Sequence, residues 1–252
     1  MINLMESFNC LNQESILLLH RNSLLRPLIK SELIKNELRK VSLDKDLEKN
    51  TISEFLKNLG VNDDTKYEEW LLNNKMTESD IEQFALKQVK IKLFCKQEFE
   101  NKIEARFLER KNKLDVVIYS LLRTKDPFKA QELYLRIIEN ESEFSDIAST
   151  YSEGLEKKTR GIIGPVTVEK AHPILQEILR TSEPGKTHTP VKVDDSYVVV
   201  RVESYDPAKL NDFMREKMGE ELFNDLIESK VNEISQTYLE QLKVINTNGN
   251  QL

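Results

Sequence analysis

Histidine and cysteine, the residues that most often carry nucleophilic or metal chemistry, are scarce in this chain. The sequence holds 3 histidines and 2 cysteines in 252 residues. His172 and His188 have no Asp, Cys or second His at a spacing typical of a catalytic triad or a metal site. Cys10 and Cys95 lie far apart, without the spacing of a disulfide framework or a zinc cluster. We therefore expect no metal and no cofactor.

The stretch RGIIGPV, residues 160–166, combines backbone freedom with apolar side chains. The chain has only 7 glycines, yet Gly161 and Gly164 bracket two isoleucines here and Pro165 follows them. Glycine permits tight turns and a close approach of the backbone to other groups. A phosphate-binding loop is not indicated, because the stretch does not follow a strand and open a helix. Its role depends on the elements around it.

Helix breakers divide the chain into three parts. Residues 28–126 contain no proline and one glycine, whereas residues 127–207 hold six of the seven prolines and four of the seven glycines. The chain therefore reads as helical, then mixed, then helical. We expect an N-terminal helical domain over 1–111 and a mixed domain over 112–205. The C-terminal helix, over 206–252, should pack back on the N-terminal helices, because its broad apolar stripe needs a partner.

Local patterns indicate where the helices of the first part lie. Apolar periodicity predicts a helix at about 44–59. Thr65 with Glu68, and Thr77 with Asp80, both resemble capping boxes at helix starts. The helix that begins at Thr77 is predicted to be unusually long, so that it protrudes or connects two bodies.

The middle part changes its hydrophobic period several times. LDVVIYSLL predicts a buried strand, and helices are predicted to begin after Asp126 and at Pro173. VKVDDSYVVVRVES predicts a hairpin, with Val198, Val200 and Val202 on one face of its second strand. The order strand, helix, helix, strand, helix, strand, strand predicts an α+β fold, a four-stranded sheet with surrounding helices.

Three motifs follow one another in this middle part. They are F-x-x-I-A-x-x-Y-S in FSDIASTYSEG, G-x-I-G in RGIIGPV, and PILQEILRTSEPGK followed by TPV and the strand YVVVRVE. In this order they resemble the parvulin family of peptidyl-prolyl isomerases, over residues 114–205. With helices on both sides of this region, the domain order of the chain is similar to that of SurA-like foldases. The resemblance implies a parvulin-like domain inserted in an all-helical, chaperone-like domain.

The resemblance also implies a pocket for a proline ring. The matched positions place Ile163, Val166, Ala171 and Leu175 in this pocket. The family usually carries histidines near the middle of its first and last strands. The last-strand histidine is matched by Val198, which we assign to substrate binding.

Two polar residues are implied as catalytic candidates. Ser120 matches the histidine of the first strand, and Glu153 matches the acidic or cysteine residue that follows the Y-S element. The family's G-G-D-L-G reads RGIIG here, so one glycine and the aspartate are absent. The polar centre of the family's site is therefore largely replaced in this chain.

Rotation about an X-Pro bond needs no nucleophile. The barrier is about 18–20 kcal/mol, and a dry apolar pocket with one polar group near the amide can favour the twisted form. The resemblance therefore implies a peptidyl-prolyl cis-trans isomerase and foldase for proline-containing unfolded or exported polypeptides. Activity should be weak or selective, because Ala171 and Leu175 replace larger side chains. The alternatives are a parvulin-fold chaperone that only binds polypeptide and a helical interaction protein, which leaves the motifs unexplained.

Charge and hydropathy argue against other classes of function. Charged residues make up 32 % of the chain with a net charge of -6, without the basic face that nucleic-acid binding needs. The longest uncharged apolar run, Ile16–Leu19, is too short to cross a bilayer, and no signal-peptide pattern occurs. We expect a cytoplasmic protein with polypeptide clients as partners, without nucleic acid and without membrane insertion.

Overall fold

The computed structural model describes residues 10–248, with side chains to residue 238. Residues 1–9 and 249–252, which belong to the predicted helical parts, lie outside the described residues. Contacts between Cα atoms divide the chain into two compact units. One unit is Ala105–Asn211, and the other is formed by the chain on both sides of it. The predicted α+β fold, with a mixed domain inserted in a helical one, is confirmed.

The helices and strands follow the predicted order. The helices are α1 (Gln13–Arg21), α2 (Leu25–Leu38), α3 (Lys45–Asn58), α4 (Asp64–Asn74), α5 (Glu78–Leu114), α6 (Pro127–Ile138), α7 (Phe144–Tyr151), α8 (Pro173–Thr181) and α9 (Asp212–Asn248). The strands are β1 (Val116–Thr124), β2 (Ile162–Thr167), β3 (Val191–Val193) and β4 (Ser196–Asp206). Short 3₁₀ helices at Leu155–Thr159 and Val168–Lys170 flank β2.

The helical unit contains an apolar cluster shared by α2, α5 and α9. Ile29 and Ile227 are fully buried in it. The ring of Phe94 packs edge-on against that of Phe223, with centroids 5.3 Å apart. Burial of apolar surface is the main favourable contribution to folding. The C-terminal helix therefore returns to the N-terminal helices through this cluster.

One predicted capping box in the helical unit is correct and the other is wrong. The backbone N–H of Thr77 donates to Asp80 Oδ2 at 2.9 Å, and that of Asp80 donates to Thr77 Oγ1 at 3.3 Å. Thr65 caps nothing, because α4 starts one residue before it. Asp63 is the cap and accepts from the backbone N–H of Lys66 at 2.8 Å.

The start of the C-terminal helix is also later than predicted. Strand β4 continues to Asp206, where it still pairs with Val116 of β1. Helix α9 begins only at Asp212. Strand pairing thus overrides the predicted helix at Asp206, and residues 207–211 form neither a helix nor a strand. Among the described residues, no helix is long and apolar enough to cross a membrane.

The mixed unit is built on a four-stranded antiparallel sheet with the strand order β2, β1, β4, β3. Alternate side chains of the central strands point to opposite faces. Helix α8 packs on one face, which we call the α8 face; α6 and α7 pack on the other, the α6–α7 face. The α8 face carries Val117, Tyr119 and Leu121 of β1 with Val198, Val200 and Val202 of β4. The α6–α7 face carries Leu122 of β1 and Val199 of β4.

Candidate functional site

The apolar residues assigned to the pocket lie in one cluster on the α8 face. Ile163 and Val166 of β2 are partly buried, whereas Ala171, Leu175 and Val198 are buried. Leu175 of α8 and Val198 of β4 are each only 3 % exposed. The structure therefore brings all of these residues together. Their accessible part is the wall formed by β2.

Two glycines allow β2 to approach β1. Gly164 has a φ of +118°, and a Cβ at this position would lie 2.6 Å from the carbonyl oxygen of Val117. Gly161, just before β2, has a φ of +88°, and a Cβ there would lie 3.1 Å from the carbonyl oxygen of Leu121 in β1 and 2.8 Å from the Cβ of Ala148 in α7. Only glycine accommodates both the left-handed φ and the close contact. The stretch RGIIGPV thereby carries Ile163 onto the α8 face.

Ser120, one of the two predicted catalytic candidates, lies outside this apolar cluster. Its Cα partner is Arg201 of β4, and its hydroxyl donates to Glu203 Oε1 at 2.5 Å. The same carboxylate oxygen accepts from Arg201 Nε at 2.8 Å, and the guanidinium lies over the ring of Phe144 in the α6–α7 cluster. Ser120 therefore faces the opposite side of the sheet from Leu175.

Glu153 is an exposed residue that fastens its loop to the end of β1. Its carboxylate accepts from Thr124 Oγ1 at 3.0 Å and from the backbone N–H of Lys125 at 3.1 Å. Its own N–H donates to the carbonyl of Arg123 at 2.9 Å. These bonds hold the loop after α7 against the strand. They do not bring the Glu153 carboxylate to the apolar wall.

Tyr119 is a polar residue of the α8 face that the sequence did not single out. Its Cα partners are Ile163 in β2 and Val202 in β4, and the residue is 5 % exposed. Its hydroxyl forms no hydrogen bond with the described residues. Burial raises the pKa of Tyr119, while nearby Arg123 lowers it and Glu156 raises it. A phenol with its ordinary pKa of about 10 is already protonated at neutral pH, and the net rise leaves the Tyr119 hydroxyl a donor at higher pH as well.

An ion pair lies beside Tyr119. Arg123 Nε and Nη2 donate to the two carboxylate oxygens of Glu156 at 3.1 and 3.2 Å, and Ser152 Oγ donates to Oε1 at 2.6 Å. The Glu156 side chain is 3 % exposed and that of Arg123 is 44 % exposed. Gly154 leaves room for the carboxylate, since a Cβ there would lie 2.2 Å from Glu156 Oε2. The pairing neutralises the charge of Arg123 within the site.

The two histidines of this unit have structural partners. The ring Nδ1 of His172 accepts from the backbone N–H of Ile174 at 3.4 Å, which makes His172 the cap of α8. His188 Nε2 lies 2.6 Å from Ser182 Oγ at the other end of this helix. Within residues 10–238, whose side chains the structure describes, no group of three or more His, Cys, Asp or Glu side chains is placed to hold a metal ion.

Residues 123–204 match the family model described as the rotamase, PPIC-type PPIASE domain. This segment is a PPIC-type PPIase domain. The predicted parvulin resemblance is therefore confirmed for the region that carries Glu153 and the apolar wall. Tyr119 and Ser120 lie on β1 just before the matched residues of the PPIC-type PPIase domain.

Solved structures similar to this chain include foldases and chaperones. Peptidylprolyl isomerase PrsA from Bacillus anthracis is 16 % identical with a TM-score of 0.46, over 87 % of this chain and 97 % of that chain. Foldase protein PrsA from Streptococcus pneumoniae is 19 % identical with a TM-score of 0.40, over 90 % and 85 % of the two chains. A SurA-like chaperone structure from Campylobacter jejuni is 17 % identical with a TM-score of 0.37, over 84 % and 92 %. No curated protein matches the chain.

Proposed function

We propose that the chain is a peptidyl-prolyl cis-trans isomerase that acts as a foldase on proline-containing polypeptides. The observation that carries this proposal is the match of residues 123–204 to the PPIC-type PPIase domain. The apolar wall of Ile163 and Val166 supports it, because a proline ring needs an apolar surface that excludes water. Unfolded or exported polypeptides are the proposed clients.

The hydroxyl of Tyr119 is the polar group that we assign to the reaction. A twisted X-Pro amide has lost resonance, so its nitrogen gains a lone pair that can accept a hydrogen bond. A donor fixed beside the apolar wall stabilises this state more than either planar isomer. Tyr119 is the Cα partner of Ile163, and its hydroxyl has no competing partner among the described residues.

A peptide isomerisation assay tests this assignment. We expect the full chain to accelerate cis-trans exchange in short X-Pro peptides, measured by a protease-coupled assay or by exchange NMR. Tyr119→Phe should lower kcat/KM by up to about tenfold, since one hydrogen bond contributes about 0.5–1.5 kcal/mol. Ser120→Ala is the control on the opposite face and should keep most of the activity if the fold is intact. No acceleration over the uncatalysed rate on any X-Pro peptide would sink the enzyme proposal.

A second candidate function is polypeptide binding without catalysis. It is favoured by the burial of Leu175 and Val198, which leaves β2 as the accessible part of the apolar wall. This candidate predicts that X-Pro peptides bind and that client aggregation is suppressed, with no change in exchange rate. Line broadening of Ile163 methyl signals on peptide addition, without catalysis, would support it over the isomerase.

The predicted cytoplasmic location remains a prediction. One of the two Campylobacter jejuni chaperones named for the similar solved structure is a periplasmic protein. That location is a property of the Campylobacter jejuni protein. Fractionation of the source cells followed by immunoblotting with an antibody to the chain would decide between the compartments.

A further inference from the structure

A cleft with an apolar floor lies in the helical unit between α2 and α5. Its volume is about 230 Å³, below the roughly 300–1,000 Å³ of pockets that hold drug-sized ligands. Ile34 and Leu38 of α2 and Phe84 of α5 supply the apolar surface. The Phe84 side chain is large, and the residue is 56 % exposed. The cleft therefore has the size and lining to accept one large apolar side chain.

The rim of this cleft is positively charged. Four cationic residues line it, together with the carboxylates of Glu32 and Asp80. The Asp80 carboxylate is already occupied, because it accepts hydrogen bonds from the backbone and hydroxyl of Thr77. A positive rim is unexpected on a chain whose net charge is -6. The cations are Lys35, Arg39, Lys87 and Lys90.

These cations have no ion-pair partner among the described residues, although Lys35, Lys87 and Lys90 are half-buried. Elsewhere in the same unit comparable cations are paired. Half-buried Lys30 contacts Glu228 at 2.7 Å and half-buried Lys230 contacts Glu37 at 2.6 Å. Half-buried lysines lay their aliphatic stems along apolar surface and present the ammonium group at the edge. The rim of the cleft thus carries four cations against two carboxylates, and Lys35 is the cation that attracts the carboxylate of Asp80.

We propose that this cleft binds an acidic segment of a client polypeptide. One aromatic or aliphatic side chain would lie on the floor, and flanking carboxylates would meet the cations of the rim. The client as the source of the segment rests on the proposed foldase function, but the binding site itself does not. A nucleic-acid strand fits less well, because it needs a continuous cationic track along its phosphates, and here Glu32 and Asp80 interrupt the rim.

Binding of matched peptides to the full chain tests the proposal. The probe is a fluorescein-labelled peptide with one phenylalanine flanked by aspartates, and the matched peptide has lysine at each aspartate position. Fluorescence anisotropy should show the acidic peptide binding about tenfold more tightly or better, with an affinity that falls as salt rises. Equal affinity for the two peptides would overturn the proposal.

Charge reversal locates the site. Lys35→Glu/Lys87→Glu should weaken acidic-peptide binding about tenfold or more, and Phe84→Ala should weaken it independently of salt. Lys45→Glu/Lys186→Glu makes the same charge change at exposed lysines that do not line the cleft, and should change affinity less than about twofold. Circular dichroism confirms that each variant is folded. Unchanged binding in folded Lys35→Glu/Lys87→Glu would contradict the site.

Two further readouts separate this proposal from its rivals. Competition by a single-stranded DNA oligonucleotide that binds more tightly than the acidic peptide would reassign the cleft to nucleic acid. Isomerisation of short X-Pro peptides should be unaffected by Lys35→Glu/Lys87→Glu, because these lysines belong to the other unit. Absence of isomerase activity in the unmodified chain would therefore refute the proposed function while leaving the peptide site intact.

Discussion

The carboxylate of Glu156 is buried, and this burial makes its ion pair with Arg123 asymmetric. The Glu156 side chain is 3 % exposed, whereas Arg123 is 44 % exposed. Removing the arginine leaves a buried carboxylate with Ser152 as its remaining side-chain donor. Removing the carboxylate leaves a guanidinium that water can reach. The two halves of the pair should therefore contribute unequally to stability.

We expect Arg123→Met to lower the free energy of unfolding of the mixed unit by about 3 kcal/mol. This is the lower end of the loss found when a buried charge loses its partner. Glu156→Gln should cost less, about 1 kcal/mol, because a neutral amide can still bond to Ser152. Urea unfolding followed by circular dichroism measures both values. If both variants lose the same free energy of unfolding, the Arg123–Glu156 ion pair behaves as one that is exposed to solvent on both sides.

Gly154→Ala should act through the same pair. Its Cβ would lie 2.2 Å from Glu156 Oε2, so the carboxylate must leave its position. Gly154→Ala and Glu156→Gln should consequently be non-additive in a double-mutant cycle of unfolding free energies. Gly219→Ala, which lies in the other unit, is the control and should be additive with Glu156→Gln. An additive result for Gly154→Ala would contradict the steric account.

At the residue scale, the resemblance to the parvulin family identified the apolar wall but not its polar neighbours. LDVVIYSLL is apolar on both faces, so its alternation does not tell which face Ser120 or Tyr119 occupies. That choice is fixed by the register with β2 and β4, including the irregularity between Ile118 and Tyr119 in the pairing with β4. The partner of Glu156 is 33 residues away in sequence, and no local pattern indicates it.

At the element scale, the end of β4 is tied to the start of β1 through the buried carboxylate of Asp115. The hydroxyl of Tyr205 donates to one oxygen of Asp115, and the backbone N–H of Ala208 donates to the other at 2.8 Å. Burial raises the pKa of Tyr205, and the hydrogen bond to Asp115 and the charge of its carboxylate add to the rise. The folded chain therefore keeps this phenol protonated at a pH where the unfolded chain ionises it.

This linkage predicts a loss of stability at alkaline pH. A folded pKa above the unfolded value of about 10 gives stability that is fully present below pH 10 and is lost as the pH rises further. Tyr205→Phe should be less stable than the parent at neutral pH and show a shallower decline between about pH 9.5 and 11. Urea unfolding across this range is the measurement. Parallel declines in the two proteins would show that Tyr205 does not contribute.

Element boundaries were predictable where the signal is local. Asp126 caps α6 as predicted, since its side chain accepts from the N–H of Phe128 and of Lys129. The sequence pattern predicts the start of α9 too early. Strand β4 continues to Asp206 because it pairs there with Val116 of β1, a residue far away in the sequence. Hydrophobic periodicity alone does not report such a pairing.

At the scale of the whole molecule, the distribution of prolines and glycines predicts a mixed part between two helical parts, and the apolar stripe of the C-terminal helix predicts that the mixed part is an insertion. In the helical unit, the segment just before the insertion lies close to the segment just after it. Glu100 Oε1 contacts Arg215 Nη1 at 3.2 Å. These two residues line one groove together with Ile103 and Asp212. The cluster of α2, α5 and α9 lies within this unit. The chain ends at the insertion are therefore close enough to be joined directly.

We expect a variant with Ala105–Asn211 replaced by a short Gly-Ser linker to fold, because closing a short flexible loop costs little. It should unfold cooperatively and bind the acidic peptide as the full chain does, but it should not isomerise X-Pro peptides. The separate fragment Ala105–Asn211 should show the reverse, with isomerase activity and no preference for the acidic peptide. Loss of peptide binding in a folded linker variant would place that site outside the helical unit, and a fragment that folds without isomerase activity would show that catalysis needs the rest of the chain.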